Sequence, residues 1–516
     1  LPAVSAADAK GSKPSRPTAD FTLGVGATLG EPPSSRLIQA AFADELQAQH
    51  ELFAGLGLAD LAHTLTMADS GVIPKNQARE LAAWLLKLQE RPADFTPEPG
   101  LGDLYTNREA WLAARTQAAG WLGVARARRE AATCAFYLLL RERLLVLGEA
   151  LAQTADALAE RAERHRQDLM PAYTYLQAGQ PTTFGHYLLG FAWPILRDLG
   201  RIQDLYRRVN CSPAGCGGGT GSLIRQDREA LARRLGFDRP IRHARDAMWQ
   251  TDVPIESLSV LTAVAVNLDR LAEDLMVFAT AEFGFVRLAD RHARASKIMP
   301  QKRNPFALAH VRAVANRLLG IQTAVGASGR TPSGQVDNRI NIYGAVPQAA
   351  AECAEAAALM AEVLNELAFD GARAERALAD RSTCAADLAE RLTTEKDLDF
   401  RTAHAVVGRL VRRLEDEGRS LAQATAADVA KAGADLLGRP LVVPDELLAK
   451  AIDLRASVAA RAGTGGCAPD EVIAMVGDLT ERLAVYRSWI GAAYSGQKNA
   501  VEALLTEARN YAGAGQ

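Results

Sequence analysis

The sequence is short of several things, and each shortage excludes something. Six cysteines occur in 516 residues (Cys134, Cys211, Cys216, Cys353, Cys384 and Cys467), none in a Cys-x-x-Cys pair. That is too sparse for a disulfide scaffold and offers no zinc spacing, so the thiols read as buried groups in a reducing cytoplasm. No run of 18 apolar residues occurs, which excludes an ordinary membrane-spanning helix. Neither sign of charge is in excess: Lys+Arg 59 against Asp+Glu 61 leaves −2. A general attraction to nucleic acid is excluded, and partner charge must be argued locally. Aromatics make up 6%, prolines number 22, and no stretch alternates apolar and polar positions over a strand's length. A sheet-built protein is therefore not expected. Residues 1–20 lack the apolar core of a secretory leader and are read as a disordered or processed tail outside the fold.

What is present is helical. Residues 129–168 contain no proline and one glycine, with leucines at 139, 140, 144, 147 and 151. Such spacing at three and four predicts an amphipathic helix about 60 Å long, a length typical of bundles. Further long helices are predicted at 186–209, 256–285, 304–328 and 343–369, with Pro194 expected to kink the first of these. The stretches 91–103, 178–183, 211–222 and 329–334 read as loops, and after 370 the helices are expected to shorten. The expectation is an all-α chain with helical domains at 21–127, 128–372 and 373–516, the middle one a long-helix bundle.

The most informative stretch is RHARASKIMPQKRNP, residues 291–305, which holds five cations and no acid. A local positive field stabilises anions. It also favours a serine alkoxide, which is otherwise too basic to form near neutrality. This stretch resembles the signature of the fumarase/aspartase superfamily, GSSxMPxKxNP, with Ala295 and Lys297 in place of the glycine and the second serine. The resemblance implies that Ser296 takes a proton from carbon and that Lys302 and Asn304 stabilise the charge left behind.

Other segments are similar to the argininosuccinate lyase branch: PAYTYLQAGQPTTFGHY (171–187), SPAGCGGGTG (212–221), LDFRTAHAVVG (398–408) and RASVAARAGTGGCAPDE (455–471). The resemblance runs from about residue 30 to 490. It implies the three-domain fumarase/aspartase fold, a homotetramer whose core is the central bundle, and active sites shared between subunits. It also implies elimination of an amine to leave fumarate, with no metal or organic cofactor. A dicarboxylate or polycarboxylate small molecule is the expected partner; neither nucleic acid nor membrane is expected, and the location is cytoplasmic.

By the same resemblance Thr174, Gln177, Asn107 and Arg128 hold substrate carboxylates. The branch segment GRSRND stands here as Ala125–Glu130, so Ala127 and Arg129 replace its serine and asparagine. Arg126, Arg128 and Arg129 then form either a carboxylate grip or an exposed basic helix start. Two branch histidines fall at Tyr105 and Tyr175. A phenol donates a hydrogen bond while neutral but is a poor proton buffer near pH 7. Tyr175 or His243 is expected to supply the proton, the alternative for His243 being a structural histidine. Gln335, Arg339 and Tyr343 occupy the stretch that meets the substrate's amine tail in the branch, and the polar residues usual there are missing. An extra carboxylate would suit Arg339.

The leading expectation is a carbon–nitrogen lyase acting on an N-substituted aspartate such as an aminopolycarboxylate, by analogy with ethylenediamine-disuccinate lyase. Argininosuccinate lyase with a divergent pocket is the alternative. A catalytically silent, crystallin-like scaffold is the alternative from another class.

Overall fold

A computed structural model describes residues 32–330 and 340–513. Helices dominate, joined by four short two-stranded pairings. The chain forms two compact units. The first collects residues 32–136, 211–249 and 499–513, and the second collects 137–210 and 250–498. Neither unit is one contiguous stretch of sequence.

In the first unit the helices Phe53–Asp69 and Lys75–Glu90 pack together through fully buried Leu56, Leu61, Leu65, Leu81 and Leu85. Burial of each such side chain contributes about 1.5–3 kcal/mol. Helix Leu104–Ala113 is started by Asp103, whose Oδ1 accepts the Thr106 N–H at 2.8 Å.

The second unit is built on long helices: Phe184–Val209, Asp252–Phe278, Phe306–Ser328 and Ala345–Glu366. They match the predicted spans closely. Helix Phe184–Val209 runs on as one element through Pro194. Helix Arg128–Arg164, with 37 residues, contributes to both units. At Gly185 a Cβ would lie 2.3 Å from the Ala162 carbonyl oxygen, so the two backbones meet where only glycine fits. A smaller helical cluster follows from Ala385 to Ala460. Its helix Phe400–Asp416 shows the underlying logic: Asp399 caps the start, and Ala403, Val406, Val407, Leu410 and Leu414 form the buried stripe.

Three sequence expectations are corrected. Residues 177–183 are a strand, paired antiparallel with Leu169–Thr174, where a loop was expected. Pro171 and Pro181 face each other in that ribbon; both strands are edges, so a missing N–H is tolerated. The stretch 91–103 carries two single 3₁₀ turns. Helices after 370 do not all shorten, because Pro469–Gly513 extends over 45 residues. Among the described residues no helix is long and apolar enough to cross a membrane.

Candidate active site

The candidate residues lie on separate elements, some in each unit. In the second unit the signature forms a tight β-hairpin. Arg294–Ala295 pairs antiparallel with Arg303–Asn304. The Ser296 N–H donates to the Lys302 carbonyl at 3.1 Å, and the Lys302 N–H to the Met299 carbonyl at 3.0 Å. The Ser296 Oγ accepts the Met299 N–H at 3.1 Å and, more weakly, the Ile298 N–H at 3.4 Å. Two backbone dipoles thus converge on the oxygen that would carry an alkoxide's charge. Asn304 ties the hairpin across its neck through Nδ2 to the Arg294 carbonyl, 3.0 Å. Arg303 pairs with Asp290, and Arg294 lies over the Phe306 ring at 5.1 Å. Lys297 and Lys302 are exposed, as is Ile298 at 84%. The loop therefore presents free ammonium groups beside a half-buried serine.

The other hairpin carries Thr174 and Gln177, which face each other as its last pair. The two-residue turn between them, Tyr175–Leu176, has φ of 55° and 57°. Both values lie in the left-handed region, where side-chain-bearing residues are strained. Tyr175 is 99% exposed. Tyr343 is buried. Gln335 and Arg339 lie outside the described residues.

In the first unit the arginines separate into different environments. Arg126 is buried: its Nη2 bonds Asp60 at 2.6 Å, with the Ala59 and Leu122 carbonyls at 3.3 Å. Asp60 also binds fully buried Arg108 at 3.0 Å. Arg129 is buried too and stacks on the Trp249 ring at 3.7 Å. Neither presents an open guanidinium here. Arg128 is the exposed member; its side chain is half exposed and reaches Asp103 at 3.3 Å and the Thr106 hydroxyl at 3.4 Å.

Asn107 makes local hydrogen bonds. Its amide donates to the Gly102 and Asp103 carbonyls at 3.2 and 3.1 Å, and its Oδ1 accepts the Glu98 N–H at 2.6 Å. It braces the loop before helix Leu104–Ala113 and is buried. His243 is exposed, and its Nδ1 accepts the backbone N–H groups of Arg245 and Asp246 at 3.2 and 3.4 Å. That is the geometry of a cap for helix Ala244–Trp249. Tyr105 is buried against Arg126, and burial pushes its phenol up to about 12, so it stays neutral.

The glycine-rich loop does not hold its amides open as a charge cradle. Gly215 and Gly217 donate their N–H groups to Glu130 at 2.7 and 2.5 Å. Gly217 has φ of 65°, and a Cβ there would meet the Gly221 carbonyl oxygen at 2.5 Å. Glu130 is 1% exposed, and burial raises its carboxyl to about 7 even though these bonds and Arg126 favour ionisation. Sequence reasoning missed Asp60, Asp103 and Glu130. Asp103 had a signal, an acid directly before a helical run; the other two had none. Among the described residues no group of three or more His, Cys, Asp or Glu is arranged to hold a metal ion.

Comparison with known proteins identifies the family. Residues 101–320 match the lyase family, and residues 382–459 match the argininosuccinate lyase C-terminal family. The chain is 33% identical over 456 residues to argininosuccinate lyase of Halorhodospira halophila, covering 86% of this chain and 95% of that protein. It is 32% identical over 461 residues to argininosuccinate lyase of Methanoculleus marisnigri, covering 88% and 92%. Its fold is similar to that of a fumarate-bound variant of EDDS lyase, with TM-score 0.84, 24% identity, and coverage of 92% of this chain and 97% of that one. The serine hairpin, the long helices and relatives aligned along almost their whole length lead to one assignment: the chain belongs to the argininosuccinate lyase branch of the fumarase/aspartase superfamily, and it is a lyase.

Proposed function

We propose that the protein eliminates an amine from an N-substituted aspartate to give fumarate, and adds amines to fumarate in reverse. The observation that carries this reading is the Ser296 oxygen, which two backbone N–H groups face within a hairpin that also carries exposed Lys297 and Lys302. Those donors lower the cost of the alkoxide. The alkoxide takes a proton from the carbon beside a carboxylate, and the electron pair left on carbon is spread into that carboxylate. Lys302 and the Asn304 strand end hold the added charge. The pair then forms the double bond as the carbon–nitrogen bond breaks, and the nitrogen leaves with a proton.

Arg128, an exposed cation of the first unit, is assigned to a substrate carboxylate; Thr174 and Gln177 on their hairpin are assigned the same role. Tyr175 stands at the turn beside them and is assigned to the leaving nitrogen. A base on an exposed loop works only when water is excluded. A homotetramer with sites shared between subunits, as the family likeness implies, would supply that cover.

Two leaving groups are favoured by different observations. An aminopolycarboxylate is favoured by the replacement of the branch serine and histidines and by the likeness in fold to EDDS lyase. Argininosuccinate is favoured by relatives at 32–33% identity and by the burial of Arg126 and Arg129, which removes two cations from the carboxylate grip. Proton NMR of the protein with fumarate and a panel of amines, diamines and amino acids, alongside argininosuccinate in the forward direction, separates them. A new N-substituted aspartate signal names the amine class. Turnover of argininosuccinate alone selects the second reading. Silence throughout contradicts the lyase reading in both forms and favours a scaffold.

A further inference from the structure

A cavity inside the second unit has Tyr175 on its lining, and the rest of its wall is not used by the elimination. Its volume is about 650 Å³, within the usual range of small-molecule sites, about 300–1,000 Å³. Tyr173, Tyr187 and Phe278 form an aromatic wall, with Tyr173 and Tyr187 at 5.9 and 5.5 Å from the Phe278 ring.

Three ionisable side chains other than the tyrosines and Cys467 line it: Arg461, His186 and Asp274. Arg461 is spent. It pairs with both oxygens of Asp387 and donates to the Ser457 hydroxyl at 2.6 Å. His186 is spent as well. Its Nε2 meets the Gly465 carbonyl at 3.1 Å and its Nδ1 the Thr182 hydroxyl at 3.1 Å. Asp274 is different. It accepts the Tyr187 hydroxyl at 3.1 Å, and no ion pair to it is formed among the described residues. It is half-buried, and burial raises its carboxyl above the ordinary value. The cavity thus combines π faces with one carboxylate that no cation of the wall pairs with; Arg270, one turn earlier on helix Asp252–Phe278 and outside the wall, favours its charge only through space.

We propose that this cavity binds an organic ammonium ion with an apolar body, the cationic head against Asp274 and the body against the rings of Tyr173, Tyr187 and Phe278. A cation over an aromatic face is attracted by the ring quadrupole, more strongly once desolvated. A bound cation also gives the carboxylate the partner it lacks, which a neutral ligand of the same shape cannot do. The inference does not rest on the lyase reading: Tyr175 also lines the cavity, but the contacts proposed are Asp274, Tyr173, Tyr187 and Phe278.

Calorimetry of the full chain with phenethylamine and with its neutral counterpart 2-phenylethanol tests it. The expected result is saturable binding of phenethylamine, roughly tenfold tighter than the alcohol. Asp274→Asn should remove that preference. Gly190→Leu should abolish binding of both. Gly190 lines the cavity on helix Phe184–Val209, and a Cβ there meets nothing within 4 Å. Leucine in a helix is also favoured over glycine, so this variant should melt no lower than the parent. Equal affinity for amine and alcohol in the parent protein, absence of binding, or unchanged binding in folded Gly190→Leu would each overturn the proposal. If fumarate turnover is present, phenethylamine competing with the amine substrate makes the cavity the leaving-group pocket, and non-competitive inhibition makes it a separate site.

Discussion

Asp60 holds two guanidinium groups in a region that water does not reach, with side-chain exposure of 0% for itself and Arg108 and 2% for Arg126. Removing one partner of such a cluster leaves charge buried without compensation. Asp60→Ala should therefore cost about 3–5 kcal/mol, read as a loss in urea-unfolding free energy; a change near zero would mean the cluster is hydrated. The same cluster shows what the sequence conceals. Three arginines in four residues read as a basic patch, and nothing in that run reveals that Arg126 is claimed by an acid 66 positions earlier. Glu109 and Glu130 are both raised from 4.5 to about 7, chiefly by burial. Below about 4.5 they are protonated whether the chain is folded or not. Between about 4.5 and 7 the folded state keeps protons that the unfolded state has lost, so their contribution makes stability fall as pH rises. Buried His63 and His165, with lowered values, act in the opposite sense. The difference between parent and Glu109→Gln isolates the carboxyl. The melting temperature of the variant, measured from pH 4.5 to 7.5, should gain on the parent as pH rises; a constant offset would contradict the assignment.

Elements were legible where periodicity is strong and obscure where it is not. Helix Phe184–Val209 lies where the spacing of its apolar residues predicted one, at 186–209. The ribbon 169–183 was not legible, because Pro171 and Pro181 argue against strand and only the edge position of both strands permits them. Helix Pro469–Gly513 was missed for another reason: Ile473, Val485 and Tyr494 are exposed at 44%, 66% and 56%, so apolar residues do not mark one face. Within the ribbon, the turn Tyr175–Leu176 holds two ordinary residues at positive φ, whereas such two-residue turns favour Asn-Gly. Replacing both, Tyr175→Asn with Leu176→Gly, should relieve strain and raise stability by about 1 kcal/mol. The double variant should at the same time lose turnover, since Tyr175 is assigned to the leaving nitrogen. Higher stability with full activity would remove Tyr175 from the mechanism; lower stability would show that its ring is held by contacts elsewhere.

At the scale of the whole molecule the sequence announced long helices and a lyase signature, and both follow from short-range pattern. The assembly of each unit from separated segments did not, because no composition change marks where the chain leaves one unit and returns. The long helices of the second unit carry apolar side chains in the open, among them Val146 at 45%, Leu319 at 47% and Val485 at 66%. Apolar surface repeated along helices is suited to self-association. Sedimentation should give a particle of four 55.2 kDa chains, and a stable active monomer would contradict the shared-site reading. The central claim is that Ser296 removes the proton. Its most direct test is the rate of fumarate formation by Ser296→Ala, compared with the parent on the N-substituted aspartate that the amine panel identifies. The account predicts a fall of about 10²–10⁴-fold with an unchanged melting temperature, while retention of full turnover would show that another group takes the proton.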